Sequence, residues 1–298
     1  MSVALDDRIA LLAPALFHHL GADGVYARTA LFESVIEGLG RLISRHREPT
    51  AEVLRFPPVM SRTQLERTGY HNNFPQLLGG VCCLHQHDGA AAGQVSHDGD
   101  WAAATSTSDL VVTPAACYPV YPIVAARGAV PANGLLFDVS ADCFRREPSR
   151  QYDRFQSFRM REYVRVGTAE QASSFRSQWL ERAQGLANQL CLNYRIDKAS
   201  DPFFGRTGQL LALSQVEQSL KYELLIPVYS AEKPTACMSF NYHQDHFGET
   251  WEIRGKDAQL IHTACVAFGL DRLGLALFAT HGARLDLWPE RAREALGL

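Results

Sequence analysis

The stretch FRREPSRQYDRFQSFRMRE, residues 144–162, constrains what this chain can fold into more than any other. It opens with an arginine among aromatic, basic and acidic neighbours and crosses a polar Pro-Ser-Arg-Gln loop. It then interleaves apolar and polar side chains through Phe155, Gln156, Ser157, Phe158, Arg159 and Met160. Two extended segments around a polar loop predict an antiparallel hairpin. Side chains two apart on a strand share a face, so Arg145 and Glu147 are expected to point together, as are Gln156, Phe158 and Met160. A sheet face with a cation, a carboxylate and an aromatic ring suits a nucleotide: arginine for phosphate, glutamate for an exocyclic amine, phenylalanine for stacking. The same composition also describes a solvated hairpin paired across its strands, and the stretch alone leaves both readings open.

The surrounding chain has the material for a large sheet. With 298 residues and 46% hydrophobic content it can bury one large core or two smaller ones. Apolar spacing predicts helices over residues 5–20 and 25–45, the second through Leu31, Phe32, Val35, Ile36, Leu39, Leu42 and Ile43. A strand ending at Pro57 and Pro58 follows, then a short helix over 61–68 and a loop through Asn72, Asn73 and Pro75. Residues 81–112 read as paired strands turning at Asp88 and Gly89. Residues 169–190 form an amphipathic pattern with Phe175, Trp179, Leu180 and Leu186 inward, and a second helix is expected over 207–220. The end is an apolar strand turning at Gly269 into a helix that carries Arg272. Helices are scattered among strands rather than alternating with them, which predicts an α+β fold: a mostly antiparallel sheet with helices packed on it. No linker divides the chain, so residues 1–298 are expected to form a single domain with a short helical leader over 1–50.

Charge and cysteine usage narrow the partners. A net charge of -3 and a pI near 6.4 give no general excess for holding a polyanion. Acidic residues stand near the N-terminus where a signal peptide has basic ones, and no apolar run is long enough to span a bilayer. The expectation is a soluble, cytoplasmic protein without membrane contact. Seven cysteines without a CxxC spacing read as reduced thiols, some available to a metal. Cys82, Cys83, His85 and His87 could form a cluster, although packing is the stronger reading there.

The order of these pieces resembles the catalytic domain of class II aminoacyl-tRNA synthetases, in particular the seryl branch. FRRE at 144–147 is similar to the start of that superfamily's motif 2, RFQSFRMRE at 154–162 to its returning strand, and AFGLDRLGLALF at 267–278 to motif 3, with Ala267 where a glycine is usual. FPPVM places Pro58 near the motif 1 proline. Three motifs in the right order are far more specific than any one of them. The resemblance implies ATP bound in a bent form with Mg²⁺. It gives Arg145 the α-phosphate, Glu147 the adenine amine, Phe158 the ring face and Arg272 the γ-phosphate.

Departures from the synthetases point further. Cys117 in TPAAC, Glu162, and Cys265 in HTAC stand at positions that line the amino-acid pocket in the resembling fold. The resemblance implies that they hold one Zn²⁺ with an open position for the substrate's amine. The trio occurs in archaeal-type seryl enzymes and in their small bacterial relatives, the amino acid:carrier protein ligases. RTGYHNNFPQL, TPAACYPVYP, DPFFGR and SFNYHQDHFG are similar to phrases of the ligase family. Membership implies activation of a small amino acid, glycine first and alanine second, and its transfer to the phosphopantetheine thiol of an acyl carrier protein. Only about 50 residues precede motif 1, so no tRNA-binding domain and no tRNA partner are expected.

Ser239 and Asn241 are expected near the substrate, and His243 and His246 in hydrogen-bonding roles. Cys143, Cys191 and Cys237 read as structural. The segment 203–222 reads as an added helix with Arg206, Thr207, Leu210 and Leu211 as carrier contacts, against the alternative that Leu210, Leu211, Leu213 and Val216 pack on the sheet. A homodimer is expected from the motif 1 resemblance. The rival functions are a truncated seryl-tRNA synthetase and a catalytically silent paralogue that senses amino acids.

Overall fold

The computed structural model describes residues 5–84 and 105–298. Its centre is a seven-stranded sheet formed by β1 (Glu52–Arg55), β2 (Leu135–Phe144), β3 (Ser157–Gly167), β4 (Arg195–Lys198), β5 (Lys221–Ile226), β6 (Thr235–Gln244) and β7 (His262–Gly269). The order across the sheet is β1-β2-β3-β7-β6-β5-β4. Every neighbouring pair is antiparallel except β1 with β2, so the expected α+β architecture is present. The first hairpin expected from sequence is β2–β3, paired from Leu135↔Val166 to Phe144↔Ser157.

Strand alternation gives the sheet two different faces. Tyr163, Val266, Phe268 and Phe240 point to a core built with α1 (Leu5–Leu16), α2 (Ala30–Arg45), α3 (Ala169–Gln189) and α5 (Leu270–His281). Helix α4 (Gly205–Glu217) lies outside that core, and its one buried residue is Gly208. Capping explains two of the starts. Thr29 Oγ1 accepts from the Phe32 amide at the head of α2, and Thr168 and Gln171 form a capping box at the head of α3. The amphipathic faces are those the sequence predicts: Phe175, Trp179 and Leu186 are buried, and Leu180 is partly buried against them. Gly274 permits the close contact of α5 with α2, where a Cβ would stand 2.7 Å from Ile36 Cδ1.

The opposite face carries a second core of Val139, Val164, Tyr121, Val124, Phe247 and Trp251 beside an open cleft. A buried charge cluster joins sheet to helix. Asp138 accepts from Arg161 at 2.6 and 2.8 Å and faces Arg47 and Arg55, while Arg161 also donates to the Gly40 carbonyl of α2.

Several element boundaries differ from the sequence pattern. Residues 17–28 do not extend either leader helix: Phe17–His19 and Tyr26–Arg28 pair as a hairpin, because Phe17 and Tyr26 pack with Tyr152 and Phe155. The expected loop through Asn72 and Pro75 is a helical turn, Tyr70–Asn73, followed by a 3₁₀ turn, Pro75–Leu77. Strand Gly80–Leu84 pairs with Thr105–Val112, while His85, His87 and the expected turn at Asp88 and Gly89 lie outside the described residues. Cys82 and Cys83 are exposed, so neither is a core residue.

Candidate active site

Register, more than proximity along the chain, assembles the cleft. Across the sheet Glu162 opposes Ala267, Ala267 opposes Ser239, and Ser239 opposes Glu223. One pleat further along, Val164 opposes Cys265, Cys265 opposes Asn241, and Asn241 opposes Lys221. Opposed residues, and residues two apart, point to the same side. Glu162, Cys265, Ser239, Asn241, Lys221 and Glu223 therefore share one face, which Phe158 and Met160 extend along β3. These side chains line a cleft of about 530 Å³, with Arg145, Glu147 and Arg272 at its wall.

The nucleotide-type residues are held from separate elements. β2 ends at Phe144, so Arg145 and Glu147 do not share a strand face as the pattern predicts. The Arg145 amide still donates to Gln156, but the chain then turns, with the Glu147 amide donating to the Arg145 carbonyl at 2.7 Å. Both residues reach the cleft from this turn. The Arg145 guanidinium lies 5.4 Å from the Phe158 ring centroid, and its Nε donates to the Pro114 carbonyl. Gln156 departs from the expected face: its amide nitrogen donates to the Asp23 carbonyl. Arg272, in the first turn of α5, is oriented by donation to the carbonyls of Asp153 (2.9 Å) and Ala236 (3.1 Å). The neighbouring Asp271 is buried and accepts from Arg28 Nε, the Arg159 guanidinium and the Arg159 amide. Gly269 enters α5 with φ -77, so no left-handed backbone is needed there, but a Cβ would approach the Cys237 carbonyl at 3.3 Å.

The two thiols and the carboxylate singled out in the sequence converge. The ligand atoms of Cys117, Glu162 and Cys265 all lie within 4.8 Å of one another, and all three residues are buried. Cys117 is placed by its own amide, which donates to Glu162 Oε1 at 3.0 Å. Hydrogen bonding to Cys265, burial and the Glu162 charge push the Cys117 thiol well up from its ordinary range. The bond from Cys117 lowers the Cys265 thiol, yet burial and Glu162 carry it upward overall. Burial likewise raises Glu162 against the bonds that favour its anion. Three acids that resist ionising together are what a divalent cation would reconcile, since ligation demands thiolates and a carboxylate. Zinc bond lengths imply tetrahedral ligand separations of about 3.5–3.8 Å, which fall inside that 4.8 Å limit.

Asn241 Nδ2 donates to Cys265 Sγ at 3.3 Å and reaches Ser239 Oγ at 3.4 Å. His243 faces the same sulfur, and burial holds its pKa down to about 3. Among the described residues the trio is the sole group of three such side chains able to hold a metal ion.

No protein-family model matches the chain. Amino acid:acyl-carrier-protein ligase 1 of Bradyrhizobium diazoefficiens is 59% identical over 290 residues, covering 96% of this chain and 89% of the relative. Ligase 2 of the same organism is also 59% identical, covering 96% of this chain and 87% of its own length. The chain belongs to the amino acid:acyl-carrier-protein ligase family. A type-2 serine–tRNA ligase of Methanopyrus kandleri is a distant relative, 28% identical over 198 residues, or 62% of this chain and 37% of that protein. In fold, the ligase superposes on the M. kandleri seryl-tRNA synthetase with a TM-score of 0.82 at 21% identity, covering 99% of this chain and 60% of that one. It superposes on the Pyrococcus horikoshii synthetase at 0.72 and 16%, covering 64% of that chain. The class II synthetase fold expected from the motifs is therefore present.

Other features of this ligase were not legible in its sequence pattern. Asp201 and Lys221 form a 2.6 Å ion pair on the cleft wall, and Gln215 of α4 both donates to the Asp201 carboxylate and accepts from its amide. The strand period of Lys221 and Glu223 was the available signal. Helix α4 covers Gly205–Glu217 rather than 207–220 and leaves Leu210, Leu211 and Leu213 68%, 42% and 60% exposed, so these leucines do not pack on the sheet. Cys143 and Cys237 are buried and Cys191 partly so. Among the described residues no helix is long and apolar enough to cross a membrane.

Proposed function

We propose that this ligase activates a small amino acid with ATP and transfers it to the phosphopantetheine thiol of an acyl carrier protein. Glycine is the first choice of substrate and alanine the second. The observation that carries the reading is the convergence of Cys117, Glu162 and Cys265 on the sheet face that also bears Phe158, beside Arg145 and Arg272. Membership of a family named for that reaction supports it.

In the first step an amino-acid carboxylate oxygen attacks the α-phosphorus of ATP, and the bond to pyrophosphate breaks. Arg145 meets the charge developing on the α-phosphoryl oxygens, Glu147 accepts from the adenine amine, Phe158 stacks on the ring and Arg272 holds the γ-phosphate end. Positioning and charge supply the catalysis, because no covalent help from the protein is required. Cys117, Glu162 and Cys265 would hold Zn²⁺, which supplies a Lewis-acid site for the amine, and Mg²⁺ would accompany the phosphates. Ser239 and Asn241 line the substrate end of the cleft. In the second step the carrier's thiol, having lost its proton to solvent, attacks the carbonyl carbon and AMP leaves with the bonding pair of the acyl–oxygen bond.

The carrier is expected on α4. Arg206, Thr207, Leu210 and Leu211 offer cationic and apolar contacts at the cleft mouth, where Leu211, Ser214 and Gln215 already form part of its lining. The protein is expected to be a cytoplasmic homodimer of single catalytic domains acting without tRNA.

Amino-acid-dependent ATP:pyrophosphate exchange, followed by addition of phosphopantetheinylated carrier or of tRNA, tests the whole reading. Exchange with glycine, zinc bound in unit stoichiometry and a thioester on the carrier are expected. Charging of tRNA in place of the carrier would establish the synthetase, and absence of exchange would establish the silent paralogue.

A further inference from the structure

The strand that supplies Asn241 supplies a second side chain to the same sulfur. His243 Nε2 lies 3.7 Å from Cys265 Sγ, and its Nδ1 lies 2.9 Å from Thr263 Oγ1. Thr263 is fully buried on β7, two residues before Cys265. The imidazole cannot swing freely, because Phe247 meets it edge-on at 5.0 Å and 80° and Tyr121 at 6.4 Å and 83°. Both ring nitrogens are thus aimed at fixed partners, and the direction of the protons along this row decides what it does.

We propose that His243 is a positioning residue for the metal-ligating Cys265, acting in a directed chain from the Thr263 hydroxyl through the imidazole to the sulfur. The inference rests on the zinc reading given under Proposed function. A ligating thiolate has no proton to give, so Nε2 carries the hydrogen and donates to sulfur. Nδ1 then has a lone pair, and the Thr263 hydroxyl donates to it. With a protonated thiol the row can run the other way, with S–H donating to Nε2 and Nδ1–H donating to Thr263. Metal loading selects one of the two tautomers. Cys265 consequently receives two N–H donors, Asn241 Nδ2 and His243 Nε2, which orient the sulfur lone pairs and stabilise its negative charge.

The test uses the intact enzyme and metal alone. Long-range ¹⁵N–¹H spectra of the zinc-loaded wild type should show His243 as the Nε2–H tautomer. His243→Leu should weaken zinc affinity by about 10–100-fold in competition with a chelator, the range found when outer-shell partners are removed. In the Co²⁺-substituted protein the same variant should move the sulfur-to-metal charge-transfer band to longer wavelength, because an unbonded thiolate gives up its electrons more readily. His243→Gln, whose amide nitrogen can reach the place of Nε2, should recover most of both properties. If the wild type binds zinc with His243 in the Nδ1–H form, or if His243→Leu matches it in affinity and spectrum, the inference is overturned. If the wild type takes up neither zinc nor Co²⁺, it is the metal reading itself that fails. The wild-type spectrum decides the matter even if a variant does not fold.

Discussion

Arg272 shows how a residue acquires a role through what holds it. Its two donations to backbone carbonyls hold a partly buried cation at the cleft wall. Electrostatic groups of this kind act mainly on the transition state, and losing one costs about 10²–10³-fold in kcat. Arg272→Ala is expected to reduce ATP:pyrophosphate exchange by that factor while leaving zinc content unchanged, since the Cys117, Glu162 and Cys265 cluster does not depend on it. Equal loss of metal and exchange would show that Arg272 supports the fold rather than the phosphates. The identities of Arg145, Phe158 and Arg272 were readable from motif order. Their restraints were not, because Pro114, Asp153 and Ala236 act through backbone carbonyls that any residue could supply.

Among the elements, α4 and the Asp138 cluster make opposite uses of exposure. Helix α4 leaves three leucines in water and is tied to the cleft wall by the paired hydrogen bonds of Gln215 with Asp201. Leu210→Asp removes no core contact, so stability should change by less than about 0.5 kcal/mol, as for ordinary surface positions. Transfer to the carrier should fall at least tenfold, corresponding to about 1.4 kcal/mol, with pyrophosphate exchange intact. Unchanged transfer would move the dock elsewhere. Asp138, by contrast, is fully buried among Arg161, Arg47 and Arg55. Asp138→Ala leaves the Arg161 guanidinium buried without its carboxylate, and about 3–5 kcal/mol of destabilisation is expected in urea unfolding. A change below about 1 kcal/mol would mean that water reaches the guanidinium. The hydrophobic spacing that predicts α2 and α3 is local and survives folding unchanged. The helical pattern over residues 17–20 and 25–28 did not survive, because burying Phe17 and Tyr26 against Tyr152 and Phe155 outweighs a weak propensity.

For the molecule as a whole, pH is a further test. Burial lowers the proton affinity of His46, helped by Arg45 and Arg182, and also that of His281, against its bond to the Leu190 carbonyl. Their folded pKa values lie below the unfolded value near 6.5, so the unfolded chain binds more protons just beneath that pH. Stability from these two groups is complete above about pH 6.5 and is lost as pH falls through that region. Denaturation midpoints at pH 7.5 and 5.5 should show the loss, and His281→Gln should flatten it. An unaltered slope would assign the effect to other groups. Strand alternation and helical spacing by themselves determined a mostly antiparallel α+β fold, because each is a local pattern along the chain. Motif order carried the resemblance that implied the class II architecture and singled out Arg145, Glu147, Phe158 and Arg272 and the trio Cys117, Glu162 and Cys265. Only the tertiary structure decided that Cys117, Glu162 and Cys265 meet, that His243 faces Cys265 and Lys221 lines the same cleft, and that α4 leaves its leucines in water. Those facts depend on cross-strand register and burial, which are set by packing among residues far apart in the chain.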